Sequence, residues 1–250
     1  MSASAKKRKG RATGAPESSG HVAAAAGKTP AAAERVRPRL FLIAGPEAGE
    51  GEAAEKALAE ALAGGDVAAV LLLPGDADEA QFQRRAEGLV PVAQAAGAAA
   101  ILAGDTRAVG RTRADGIHAD VDSEDFAALL ESLHPDRIVG AGGIRERHHA
   151  MQAAEQGADY VFFGLLDLVP EDEAHPKTIA LAGWWADVFE VPCVALAGAA
   201  IASVTGVALT GADFVAVRQA VWSHPDGPRA AVAEANRLID EAFASADGLR

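Results

Sequence analysis

The chain has one cysteine, Cys193, so no disulfide forms within it. Its setting, Val191-Pro-Cys-Val-Ala-Leu196, is an apolar run in which a buried, inert thiol is expected rather than a nucleophile. Apolar runs long enough to span a bilayer are missing, and no apolar segment follows the lysines near the N-terminus. Neither a membrane helix nor a secretory signal is therefore read, and a cytoplasmic protein is expected. Lysine is scarce past residue 39, where only Lys56 and Lys177 occur. Acidic residues are not scarce. Residues 1–39 hold nine Lys/Arg against Glu17 and Glu34, a net of +7; the whole chain is at −12, which leaves −19 on the remainder. A body of that charge repels polyphosphate backbones, so nucleic-acid binding by it is not expected.

What is present divides at Pro38. Residues 1–38 read as a basic, disordered arm of Ala, Gly, Ser and Pro around Lys6-Lys7-Arg8-Lys9, with no periodic apolar face to bury. From residue 39 to residue 250, short β-type runs alternate with Ala/Leu-rich amphipathic stretches. That alternation produces a parallel sheet covered by helices. Eight runs are counted: Leu40–Ile43, Val67–Leu73, Ala98–Ala103, Gly116–His118, Arg137–Val139, Tyr160–Phe163, Cys193–Leu196 and Phe214–Val217. Helical spacing follows at Glu50–Leu62, Glu79–Ala95, Ser123–Leu133, Arg145–Gln156 and Arg229–Ala244. The short gap after the third run leaves room for one small helix around Thr106–Thr112. Eight units close into an α/β fold of the (β/α)8 TIM-barrel type, whereas open doubly wound sheets usually stop at five or six strands. Ligands of such barrels bind at the C-terminal strand ends, which here read Gly45-Pro46, Pro74-Gly75, Gly104-Asp105, His118-Ala-Asp120, Gly140-Ala-Gly-Gly143, Gly164, Ala197-Gly198 and Arg218.

These strands carry a resemblance. Gly157-Ala-Asp-Tyr-Val-Phe-Phe-Gly164 resembles the G-A-D-Y-V-x-x-G sixth strand of the thiamine phosphate synthase family, which includes thiazole tautomerases. Arg39-Leu-Phe-Leu-Ile43, Asp115-Gly-Ile-His118 and Gly211-Ala-Asp-Phe-Val-Ala-Val217 extend the likeness across the barrel. The resemblance implies an enzyme that joins a pyrimidine methyl pyrophosphate to a thiazole phosphate, with magnesium and cationic side chains neutralising the departing pyrophosphate. Several expected groups are absent. Where the family has Q-x-R-x-K after the second strand, this chain has Val70-Leu-Leu-Leu-Pro74. The family's Asn-Asp pair becomes Gly104-Asp105, and its metal aspartate after strand four falls on Ser123, with Asp120 or Asp122 as substitutes. Asp105 with Asp122 is thus the candidate Mg²⁺ pair, since Mg²⁺ takes one or two carboxylates plus substrate phosphate; the alternative for Asp122 is a helix cap. The loop after strand six is acidic, and Lys177 matches the family's lysine only across an insertion. Phosphate binding is expected to survive best at Gly198, through backbone N–H groups, and at Arg218, which either binds phosphate or pairs with Asp213 or another rim acid.

Three functions stay open: a synthase with reduced activity; a tautomerase-like isomerase using His118 and Asp105 as acid–base groups; and a non-catalytic barrel that binds a phosphorylated small molecule or a partner. His148 and His149 are expected on an exposed helix face. Trp184-Trp185, near the start of the sixth helix, and Trp222 are read as packing, with a dimer patch as the alternative, so a homo-oligomer is left open. Removal of residues 1 to about 36 is expected to leave the melting temperature nearly unchanged; a fall of many degrees in a thermal melt would show that the arm packs on the barrel.

Overall fold

In a computed structural model of the chain, residues 36–104, 106–123 and 126–247 are described. The arm expected over residues 1–38 lies outside them up to residue 35, as does Asp105. Eight strands form a closed parallel barrel in sequence order, the first pairing with the last through Arg39↔Phe214 to Leu42↔Val217. They are β1 (Arg39–Ala44), β2 (Val67–Leu72), β3 (Ala99–Ala103), β4 (Gly116–Asp120), β5 (Ile138–Ile144), β6 (Tyr160–Phe163), β7 (Cys193–Leu196) and β8 (Phe214–Val217). The helices between them are α1 (Gly51–Leu62), α2 (Glu79–Ala95), α3 (Thr106–Thr112), α4 (Phe126–Leu133), α5 (Arg147–Gln156), α6 (Pro176–Val188) and α7 (Val204–Ala208), with α8 (Gln219–Trp222) and α9 (Pro228–Asp247) after β8. The chain is a (β/α)8 TIM barrel, and its short third crossover is α3 as the spacing predicts.

Side chains on a strand alternate faces, and that period sorts the core into two layers. Leu40, Leu42, Val70, Leu72, Val161, Phe163, Val215 and Val217 point outward and bury against the helices. Phe41, Ile43, Leu71, Ile101, Tyr160, Phe162, Val194 and Ala216 fill the interior. Helix ends follow local chemistry. Asp78 caps α2 by accepting the Gln81 N–H at 2.8 Å while Gln81 Oε1 accepts the Asp78 N–H at 3.0 Å, and α5 stops at Gly157 in the left-handed region, φ +104°.

The base of the barrel repeats one device. An aspartate stands immediately before each even-numbered strand. Asp115, Asp159 and Asp213 accept the backbone N–H of Ala100, Val139 and Cys193 at 2.7, 2.7 and 2.8 Å, while Asp66 takes the Arg39 guanidinium with both oxygens, at 2.6 and 2.8 Å. At Asp115 and Asp159 the bond is returned, because their own N–H groups donate to the carbonyls of Ala100 and Val139 at 2.8 and 2.9 Å. The Gly-Ala-Asp triplets that carry the resemblance thus have a structural use, and Asp213 is committed far from Arg218.

Several placements differ from the sequence reading, with β4 running to Asp120 rather than His118, α5 starting at Arg147 rather than Arg145 and α9 running to Asp247 rather than Ala244. The fifth strand does not end at Val139: Gly140-Ala-Gly-Gly143 lies within β5, which runs on to Ile144 with a register shift between Ala141 and Ile144. Glycine is poor in strands by propensity, but here its missing Cβ makes room for neighbours: a Cβ on Gly140 would fall 1.9 Å from the Tyr160 ring, and one on Gly142 2.3 Å from His118 Nε2. The tryptophans sit in the last turns of α6 rather than near its start. Trp185 is fully buried, stacks on Phe189 and donates Nε1–H to the Val191 carbonyl at 2.7 Å.

Replacing Asp159 with alanine leaves the Val139 N–H unpaired at the barrel base, and urea denaturation should register a loss of about 1–3 kcal/mol. Asp159→Asn, which keeps an acceptor oxygen, should lose clearly less; equal stability for wild type and Asp159→Ala would contradict the clamp.

Candidate functional site

At the C-terminal end of the strands two cavities adjoin. One, of about 560 Å³, lies under the segment 164–175 between β6 and α6 and is walled by Leu166, Leu181, Leu196, Lys177, Gly198 and Arg218 among others. The second, of about 600 Å³, lies over β2 to β5 and is walled by Leu73, Pro74, Gly104, His118, Asp120 and Asp167 among others. Arg145, Gly164, Leu165 and Leu166 line both. Both cavities thus lie at the end of the barrel where ligands of this fold bind.

Arg218 follows β8 directly. Its Nε donates to Glu47 Oε1 at 2.7 Å, its Nη2 to Glu47 Oε2 at 3.4 Å, and its Nη1 to the Leu166 carbonyl at 2.9 Å. The rim acid it pairs with is Glu47, in the turn Pro46–Ala48 after β1, and not Asp213. The Gly45 N–H also donates to Glu47, and Arg85 of α2 reaches the Gly45 carbonyl from the other side. Burial works to raise the Glu47 carboxyl, but the Arg218 hydrogen bond, the backbone N–H donors and the guanidinium charge outweigh it and hold the group below its ordinary 4.5.

Gly198 lines the first cavity, yet its N–H donates to Ser203 Oγ at 2.9 Å. The next two amides are also engaged: Ala199 N–H donates to the Glu171 carbonyl at 2.7 Å and Ala200 N–H to that of Asp172 at 3.0 Å. A Cβ on Gly198 would fall 2.2 Å from the Asp172 oxygen, so only glycine lets the 164–175 segment lie this close over β7. Lys177, in the first turn of α6, is exposed and lines the same cavity.

His118 is buried at the floor of the second cavity. Its Nδ1 lies 2.9 Å from the Tyr160 hydroxyl, and its ring stacks on that of Tyr160. Burial pushes the imidazole down to about 4 and raises the Tyr160 phenol well above its ordinary value, so His118 is neutral at pH 7 and presents a polar edge, not a charge. The other acid–base candidate, Asp105, lies outside the described residues.

Of the expected Mg²⁺ pair, Asp105 and Asp122, the first lies outside the described residues. Asp122 lines neither cavity, and its Oδ1 lies 4.0 Å from His149 Nε2 on α5. Among the described residues no group of three His, Cys, Asp or Glu is placed to hold a metal. The carboxylates that do line the second cavity are Asp120 and Asp167. The sequence offers Asp120 as a substitute ligand, but it gives no signal for Asp167 or for Arg145, which is hidden behind the misplaced end of β5. His148 is exposed as expected, whereas the His149 side chain keeps only 21% of its surface. No helix among the described residues is long and apolar enough to cross a membrane.

Since the folded-state pKa of Glu47 lies below its unfolded one, its contribution to stability is complete above the unfolded value and is lost as pH falls through the depressed folded value. Thermal melts between about pH 3 and about pH 7 should therefore show a steeper acid limb for wild type than for Glu47→Gln. Coincident limbs would show that the ion pair carries no pH dependence.

Comparison with known proteins bears on the family and the fold. The family model described as thiamine monophosphate synthase matches residues 40–221. A thiamine-phosphate synthase of Rhodospirillum centenum is 40% identical over 204 residues, covering 80% of this chain and 97% of the relative. One from Hyphomonas neptunium is 36% identical over 217 residues, covering 85% and 98%. A solved thiamine phosphate pyrophosphorylase from Pyrococcus furiosus superposes with a TM-score of 0.69 at 22% identity, covering 83% of this chain and 98% of that one, which supports the fold. The chain therefore belongs to the thiamine monophosphate synthase family.

Proposed function

We propose that the chain joins a pyrimidine methyl pyrophosphate to a thiazole phosphate, with weak pyrophosphate binding and slow turnover. The observation that carries this reading is the pair of adjoining cavities with a shared wall, each of the size of one small heterocyclic substrate, at the end of the barrel where ligands bind. The cavity beneath the 164–175 segment holds Arg145, Lys177 and Arg218, a concentration of cations in an otherwise acidic body, and is the one suited to a phosphomonoester. The other cavity presents Leu73 and Pro74 where the family carries cations, and adds the carboxylates of Asp120 and Asp167. The site's electrostatic support for a departing pyrophosphate is correspondingly thin. Among the described residues, the carboxylates that magnesium, which the resemblance implies, would meet in this second cavity are those of Asp120 and Asp167.

His118 gives the isomerase reading little support. An imidazole held near 4 is a weak base at neutral pH and carries no proton to give as imidazolium. Its suitable role is to offer a hydrogen bond at the cavity floor while Tyr160 fixes the ring.

The test is direct. Purified full-length protein given both substrates should form thiamine phosphate, detected by chromatography. Arg218→Ala should weaken thiazole phosphate by about 1.5–3 kcal/mol, the usual worth of a charged hydrogen bond. Binding of thiazole phosphate and thiamine phosphate with no product from both substrates would instead identify a non-catalytic binding barrel.

A further inference from the structure

We propose that Arg145 binds the pyrophosphate group in the second cavity, in place of the cations that the end of β2 lacks. The inference rests on the synthase reading only for the identity of the anion. Arg145 is the one Lys or Arg among the described residues lining that cavity, and it also lines the first. A cation in the common wall of two substrate cavities stands where a group leaving one substrate meets the atom attacking from the other.

The backbone is built to deliver it there. The register shift between Ala141 and Ile144 lets β5 resume pairing at Ile144↔Phe163, so the next residue emerges at the cavity junction. Such bulges re-aim a side chain beside a site. Gly143 takes φ +68°, which an L side chain rarely adopts, and a Cβ there would fall 2.9 Å from the Asp120 carboxylate. The segment Gly142-Gly143 therefore serves Arg145 as much as it serves His118.

The two arginines at the site also differ in commitment. Arg218 is 27% exposed and is held by both oxygens of Glu47 and by a carbonyl. Arg145 is 57% exposed and has a single long contact, 4.0 Å, to an Asp167 that is itself 71% exposed. A pair so open to water contributes little, so an incoming anion displaces Asp167 easily. The planar guanidinium then meets a phosphate with two parallel N–H donors. In the transfer itself the methylene C–O bond breaks and its electron pair leaves on the pyrophosphate. The lone pair of the thiazole nitrogen forms the new C–N bond, no proton moves, and Arg145 neutralises the charge gathering on the leaving oxygen.

Isothermal titration of the full chain with inorganic pyrophosphate tests the assignment. Arg145→Ala and the neutral, polar Arg145→Gln should each weaken binding by about tenfold or more, and Arg145→Lys should recover part of it. Melting temperatures should match wild type, because nothing in the core rests on this side chain. Pyrophosphate binding equal to wild type in a folded Arg145→Ala or Arg145→Gln protein overturns the proposal, as does a wild type that shows no pyrophosphate binding. Thiamine phosphate formation is read separately. Arg145-dependent pyrophosphate binding without product from wild type keeps this site and removes the synthase reading; product with Arg145-independent binding does the reverse.

Discussion

A parallel barrel has a difficulty at its base, because the first N–H groups of each strand face away from the neighbours that would bond them, and an unpaired buried amide costs free energy comparable to a lost hydrogen bond. Here aspartates set immediately before β4, β6 and β8 reach across to the preceding strand and accept that N–H. Asp115 and Asp159 return a bond through their own backbone, which fixes two strands in register with one residue. Register in a barrel decides which side chains face inward, so the interior layer and every strand end above it depend on this clamp. Asp66 does related work with a side-chain partner, Arg39, and the same corner gathers Arg37, Asn236 and Asp240 from the ends of the barrel chain.

Most of the fold was legible because inward and outward layers both need apolar side chains, and eight such runs separated by amphipathic stretches leave few other architectures. β5 was read too short for a physical reason. Glycine signals a turn to any propensity argument, yet inside a barrel it answers to what lies opposite, and what lies opposite Gly140 and Gly142 is Tyr160 and His118. The error hid Arg145, whose place in the site depends on the strand continuing past those glycines. Glu47 was hidden differently: it lies 171 residues from Arg218, and a run of rim acids offers no sequence signal for which one pairs. Gly198 was identified as lining the site, but the competition for its amide comes from Ser203 and from the adjoining segment, which only the folded chain reveals.

Charge organises the upper end as firmly as hydrogen bonds organise the base. A body with few cations gathers three of them, Arg145, Lys177 and Arg218, around one cavity. Each has a different tie: Arg218 to a partly buried carboxylate, Arg145 to a distant one, Lys177 to neither. Arg218 thereby shapes the site by holding the turn after β1 against the 164–175 segment through Glu47 and Leu166.

The segment over β7 carries one more consequence. Its carbonyls at Glu171 and Asp172 are the acceptors for the Ala199 and Ala200 amides, so those two protons meet solvent only when the segment lifts. Their hydrogen-exchange rates are a clock for that opening. If a ligand needs the β7 backbone, its apparent affinity is scaled by the fraction of molecules in which the segment is already raised.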